Sequence, residues 1–272
     1  MSMRSALNRT VISGVLGAAF LSMYRFGLLD PGELRPAAGR LAEFVTALFP
    51  PNTRVIPTLT AAMRETLEIA FLGTLLGFVA ALPLSVLATR TLFGPGVYVP
   101  ARLALGAVRT VPSLLWAVVF VVGFGLGPAA GALAVATYSV GYISKLLYET
   151  FEGVDEEVLQ SVRSVGANRL QLIVYAVLPE SANSVVSQLL FMFEYNIRAS
   201  SIMGFVGAGG IGYYMLGYVQ LLDYESLMTA LLITFVVVMA VDYLSARLRS
   251  LLLPTQQPLR RAPLLAGIVA QP

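Results

Sequence analysis

The sequence has no cysteine and no histidine. Without thiols there is no disulfide framework, no thiolate nucleophile and no zinc-finger ligand set. Without imidazoles the commonest general base, the usual metal ligand and the serine–histidine pair disappear together. No catalytic residues and no metal site are expected. Lysine is almost missing as well: Lys145, in "ISKLL", is the single lysine among 18 basic residues. The phosphate-cradling G-x-x-x-x-G-K-[ST] loop therefore cannot be written, and the chain alone hydrolyses no ATP. Charge is scarce too. Charged residues make up 12%, about half the quarter usual in soluble domains.

What fills the space is apolar. Hydrophobic residues make up 57% of 272 positions, which identifies an integral membrane protein. At roughly 20 residues per crossing there is room for about six helices. The expected fold class is all-α and polytopic.

The first apolar segment, Val11 to Leu29, follows Arg4 and Arg9. It has the basic start of a signal peptide, but Arg25 follows the apolar core and no A-x-A site comes directly after it, which favours an uncleaved first span. Residues 30–62, with Pro31, Pro36, Pro50, Pro51 and the amphipathic "LAEFVTALF", read as an exposed connection lying on the membrane. Ile69 to Thr89 is the second span, and "FGPGVYVP" (93–100) reads as a turn. "FGLGPAAG" divides the next uncharged run into a third span, 103–123, and a fourth, 129–148. Arg102, Arg109 and Lys145 are expected at their inner ends, reaching the interface. The fifth span runs from Ser181 to Met203, the sixth from Glu225 to Ala246. The regions are thus 1–29, 30–62, a transmembrane domain 63–250, and a tail 251–272. With both termini inside, twelve of the eighteen basic residues fall on inner segments, as positive-inside requires.

One inner segment is unusual. In "VDEEVLQSVRSV" the residues Val154, Val158, Val162 and Val165 form an apolar stripe on an otherwise polar helix. Gly166 suits a left-handed helix end, Asn168 suits the N-cap of a second helix, and Pro179 is expected to stop that helix. The result is an elbow, 151–179, with an apolar knuckle. It either rests on lipid headgroups or docks a partner, helix in groove.

The elbow resembles the cytoplasmic loop of ABC importer permeases. That loop has the form E-A-A, three residues, Gly, nine residues, I-x-L-P. Here Gln160, Ser161 and Val162 stand for E-A-A, Gly166 matches, Ala176 replaces Ile, and Leu178 and Pro179 match. "FEYNIRASSIMGFVGAGGIGYYM" (193–215) resembles the phosphonate importer permeases, as does "RTVPSLLWAVVF" (109–120), although Ser113 stands where an acidic residue is expected. The likeness covers about 57–250. It implies the methionine-permease-like helical fold of type I importers, in a bacterial inner membrane. It implies two ATPase subunits docking on the elbow, a solute-binding protein outside, and ATP and Mg held by the ATPases, with no cofactor on this chain. A second permease copy, expected to be identical, completes the pathway by alternating access. Nucleic acid is not an expected partner.

"GAGGIG" (207–212) matches the dinucleotide fingerprint G-x-G-x-x-G, but it lacks the strand and βαβ unit that fingerprint needs. Gly204, Gly207, Gly209, Gly210 and Gly212 instead let backbones approach or let an outer mouth bend. For the solute, Arg198 is the expected anion contact, in the outer half of the membrane near this loop. Asn196, Ser200 and Ser201 are expected to supply polar groups. Glu194, at i−4, would either line the same pathway or neutralise Arg198. Two other functions compete: an ion-coupled transporter with Glu194 as relay, which leaves the elbow unexplained, and a polytopic enzyme, for which acid–base groups are too few.

Overall fold

The computed structural model describes residues 3–252, and these are helical almost throughout. The tail expected at 251–272 lies almost wholly outside the described residues. Helix α1 is Met3–Arg25. Its side chains from Val11 onward are exposed. Helix α2, Pro31–Ala47, starts where Asp30 Oδ1 accepts a 2.8 Å bond from Gly32 N. It carries the amphipathic connection, mostly exposed, with Phe44 set edge-on to Tyr224 at 5.0 Å.

Helix α3 spans Ile56–Ala88. It starts thirteen residues before the expected second span and so takes in Arg64, Glu65 and Glu68. It packs along α6, Pro128–Glu152, because small residues line their seam. A Cβ on Gly73 would stand 2.5 Å from Val135 Cβ, and one on Gly77 would stand 2.7 Å from Ser139 Cβ. Close approach of backbones is how helices associate where lipid removes the hydrophobic drive. The core grows outward from this seam through Tyr138, Ile143, Leu147, Phe151 and Met192.

The expected third span is two helices. "FGPGVYVP" does not form a free turn, since α4, Pro95–Thr110, begins inside it. Helix α5, Ser113–Phe124, then leaves at 83°. Pro112 is the cause. A residue before proline is driven out of the helical region, and Val111 has ψ 121. Trp116 Nε1 ties the corner by donating to Val108 O at 3.3 Å. Hydropathy cannot detect this bend, because both arms are apolar.

Helix α7, Glu156–Ser164, forms the elbow. The following rod begins with the single turn α8, Arg169–Leu172, widens over Ile173–Val177 into a π turn, and continues as α9, Leu178–Met203. Pro179 does not stop it. Proline removes one backbone donor and crowds the carbonyl four residues back, and it sits here just beyond the widened turn. After a tight loop comes α10, Ile211–Gln220, bent 46° from α9, inside the stretch expected to be an outer loop. The last helix, α11, is Tyr224–Leu252. Among the described residues three helices are long and apolar enough to cross a membrane, and up to five if each bent pair is one crossing. Val11–Arg25 adds a shorter apolar helix.

Candidate functional site

At the elbow the local capping signals are realised. Asp155 Oδ1 accepts from Glu157 N at 3.0 Å and starts α7. Gly166 has φ +81. Asn168 and Gln171 then form a reciprocal capping box at 2.8 and 2.9 Å. The apolar stripe, however, points inward. Val154 is buried, and Val158 and Val162 lie half-buried against the core that includes Phe151, Leu172 and Ile173. The stripe covers α8 and the π turn that follows it. Only Val165 stays open, 82% exposed. The outward face is Gln160, Ser161, Ser164, Val165 and Gly166, all exposed, with Leu178 half-buried and Pro179 exposed.

The inward face grips the turn between α3 and α4. Arg163 Nη2 donates to Thr91 O at 3.2 Å, and Arg169 lies over the Phe93 ring at 5.5 Å. Beside it, the Glu152 carboxylate accepts from Arg90 N at 2.7 Å and pairs with Arg102. Arg102 Nε also donates to Ala88 O at 2.8 Å, and its guanidinium lies 4.3 Å from the Tyr148 ring centre. Elbow, turn and α4 are thereby one charged assembly, which no periodicity in the sequence reveals.

Residue 166 can be tested directly. No atom lies within 4 Å of a Cβ added there, so only conformation resists substitution. A non-glycine residue in the left-handed region costs about 1–2 kcal/mol, least for Asn and more for β-branched residues. Gly166→Asn should behave as wild type. Gly166→Val should insert normally but lose about tenfold in transport-coupled ATP hydrolysis, read on the purified complex. Full coupling in the valine variant would remove this turn from the mechanism.

Mid-bundle, the polar residues of 193–201 part company. Asn196 is fully buried. Its Nδ2 donates to Thr74 Oγ1 at 2.7 Å and Ser139 Oγ at 3.0 Å, while Tyr138 OH donates to its Oδ1. It knots α3, α6 and α9 together. Ser200 and Ser201 are buried too, their hydroxyls donating back to Asn196 O and Ile197 O. Serines without other partners in a helix commonly bond the preceding turn.

Glu194 and Arg198 are not each other's partners. Arg249 Nη2 meets Glu194 Oε1 at 2.7 Å, and Arg198 Nη2 meets Asp242 Oδ1 at 3.3 Å. Both partners lie on α11. Asp242 was missed by the sequence reading, yet a lone acid inside an apolar run is a signal in its own right. Arg198 lines a cavity of about 420 Å³ with Ser113, Leu114, Phe191, Tyr195 and Ile202. It sits two residues past Asn196, at the level of Thr74, about 12 Å along α3 from the Thr66 turn that holds the glycine loop.

The glycine loop is built for contact. Gly207, Gly209 and Gly210 have φ of +85, +82 and +75. A Cβ on Gly204 would stand 2.6 Å from Tyr213 N, and one on Gly212 would overlap Ser201 O. Glu65 Oε1 accepts from Gly210 N at 3.0 Å, Thr66 Oγ1 accepts from Ile211 N at 2.9 Å, and Gly127 N donates to Gly207 O at 2.9 Å. Glu65 escaped the sequence reading because it was assigned to the approach to a span. No dinucleotide unit surrounds the loop among the described residues.

Known proteins resemble this chain at every level. The model of the family described as binding-protein-dependent transport system inner membrane component matches residues 73–255. The phosphite transport system permease protein PtxC of Stutzerimonas stutzeri is 34% identical over 236 residues, 86% of either chain. The putative phosphite permease HtxC of the same organism is 35% identical over 219 residues, 80% of this chain and 78% of that one. The phosphate-import permease protein PhnE of Mycolicibacterium smegmatis is 34% identical over 250 residues. These are 91% of this chain, which spans about half the length (47%) of that relative. Among solved structures, an inward-facing MetNI methionine ABC transporter superposes with TM-score 0.66 at 22% identity, over 73% of this chain and 97% of that one. A bacterial alginate ABC transporter in complex with its alginate-loaded periplasmic protein gives 0.58 at 15%, over 92% and 98%.

Proposed function

The chain belongs to the binding-protein-dependent transport system inner membrane components, and from that premise we propose that it forms the import pathway for a small phosphorus oxyanion. It is a multi-pass permease subunit of an ABC importer and works with ATPase and solute-binding partners. Two ATPase subunits, holding ATP and Mg, dock on the outward face of the elbow around Gln160, Ser161, Val165 and Gly166. A second copy of this chain completes the pathway. ATP-driven closure moves the elbow, the elbow moves the α3–α4 turn, and α4 carries the movement to the Pro112 corner beside the cavity. Access then alternates.

The observation that carries the substrate reading is Arg198. Its guanidinium has five N–H donors but a single 3.3 Å ion contact, and it opens on a cavity of about 420 Å³. Forked donors suit oxyanions. Phosphite and phosphate are named for the relatives, and both are small tetrahedral anions. The test is uptake of phosphite, phosphate and methylphosphonate into proteoliposomes holding the complete complex. Uptake of none of these, with uptake of an uncharged solute instead, would overturn the reading.

Orientation is tested separately. The elbow end is cytoplasmic in this mechanism and the loop before α11 is external. Ser164 and Leu221 are both exposed, and cysteine at either would be unique in the chain. An impermeant thiol reagent should label cells at 221 and not at 164. The reverse pattern would invert the importer.

A further inference from the structure

Arginine at membrane depth needs a counter-charge or a task. Among the described residues three arginines are half-buried: Arg102, Arg109 and Arg249. Arg102 pairs with Glu152 and Arg249 with Glu194. Arg109 has no carboxylate within ion-pair reach among the described residues. Its partner is the Tyr142 ring, 6.0 Å from the guanidinium carbon.

Nor does Arg109 lie at the end of the bundle, where it was expected to reach the interface. A Cβ on Gly141 would stand 3.1 Å from both Arg109 Cβ and Arg109 N. The glycine lets α4 press its last turn directly onto α6. Gly141 is eleven residues from Glu152, where Arg102 is anchored, so Arg109 enters about 16 Å along α6. The bundle places a cation there without neutralising it.

Its surroundings lead to the cavity already described. Tyr142 is 6.0 Å from Tyr138, and Tyr138 is 6.2 Å from Tyr195. Tyr195 lines the Arg198 cavity, as do Ser113 and Leu114 just past the corner that ends α4. Tyr142 and Tyr195 are 41% and 44% exposed, on either side of the buried Tyr138, so an exposed ring stands beside each arginine. We propose that Arg109 is a second oxyanion station, on the elbow side of Arg198, to which the anion passes over Tyr195 and Tyr142. The inference rests on the oxyanion reading above. Arg198 is held by Asp242, whereas Arg109 has no carboxylate competitor among the described residues. Because Arg109 moves with α4, the elbow controls the second station through the Glu152 assembly.

The test uses the complete complex with Tyr142→Cys as a reporter. Anionic and cationic methanethiosulfonates probe the local potential. A cation beside the reporter favours the anionic reagent, and Arg109→Gln should lower the anionic-to-cationic rate ratio about tenfold. Arg109→Lys should preserve the ratio. Millimolar methylphosphonate should protect the reporter thiol when Arg109 is present and not when it is Gln. A lipid phosphate could occupy the same guanidinium. In that case added methylphosphonate would give no protection, labelling would follow the anionic-lipid content, and the station would be refuted. On the wild-type background Arg109→Gln should reduce maximal uptake about tenfold, with the half-saturating concentration of loaded binding protein unchanged. A ratio insensitive to Arg109 overturns the station. If the ratio depends on Arg109 but no phosphorus oxyanion is imported, the substrate reading fails while the anion station stands.

Discussion

Arg198→Gln is expected to leave the complex assembled and its basal ATP hydrolysis unchanged, while oxyanion uptake falls about a hundredfold. The size follows from losing a charge-assisted forked contact, about 1.5–3 kcal/mol. The structure makes the experiment sharper by giving Arg198 a partner other than Glu194. Asp242 touches it once, at 3.3 Å, and Asp242 and Arg198 are 36% and 49% exposed. A pair this open contributes little to stability, so losing it should not unfold α9 from α11. Asp242 is then a resident counter-anion that the solute must displace. Asp242→Asn should assemble, bind anion more tightly and keep uptake. Glu194→Gln touches a different pair, Glu194–Arg249, and should also keep substantial uptake. Uptake normalised to assembled complex decides the matter. If Arg198→Gln and Asp242→Asn misassemble equally, the pair only holds two helices together and the anion contact is lost.

Glu194 also bears on the ion-coupled alternative. A relay carboxylate must be reachable by its ion, yet this one is nearly buried and held by Arg249 at 2.7 Å. The elbow, unexplained by that alternative, is tied to the α3–α4 turn through Arg163 and Arg169. Transport driven from the elbow uses both features.

How far the sequence reached depended on the range of each interaction. Gly166 and Asn168 were legible because helix ends are settled by a few neighbouring residues. The valine stripe was legible as a face, but its direction was not. Periodicity reports which residues share a side, and only the return of the chain through α8 and the π turn decides what that side meets. Pro112 was visible, yet a window that scores apolarity merged the two arms of an 83° corner into one span. The pairing of Glu194 with Arg198 failed for a similar reason. Spacing of four makes two residues neighbours on one helix, but α11 offered both of them better-placed partners. Asn196 looked like a pathway group because polar residues in a span invite that reading. Its amide is instead spent on Thr74, Ser139 and Tyr138, positions 57 or more residues away.

The glycine loop supports a second large expected effect: Gly212→Ala should prevent accumulation of folded permease. Gly212 lies in the first turn of α10 and is buried. A methyl there would overlap Ser201 O and press on Gly204 Cα, 3.2 Å away. Backbone carbonyls of a helix cannot swing aside as a side chain can. Ser201 is itself fixed in the last turn of α9, where its hydroxyl donates to Ile197 O. Relief would require moving α10, but α10 is anchored at its start by Ile211 N on Thr66 Oγ1 and Gly210 N on Glu65 Oε1. The cost should reach or exceed about 3 kcal/mol, the upper range for overpacking a tight interior. That is a large share of ordinary domain stability. Gly217, farther along the same helix, has no atom within 4 Å of an added Cβ, and Gly217→Ala should fold normally. Quantifying both variants in the membrane fraction and in the purified complex separates crowding at 212 from a general dislike of alanine in α10. A stable, assembled Gly212→Ala permease would mean that α9 and α10 can slide apart, and that the loop between them is a hinge and not a lock.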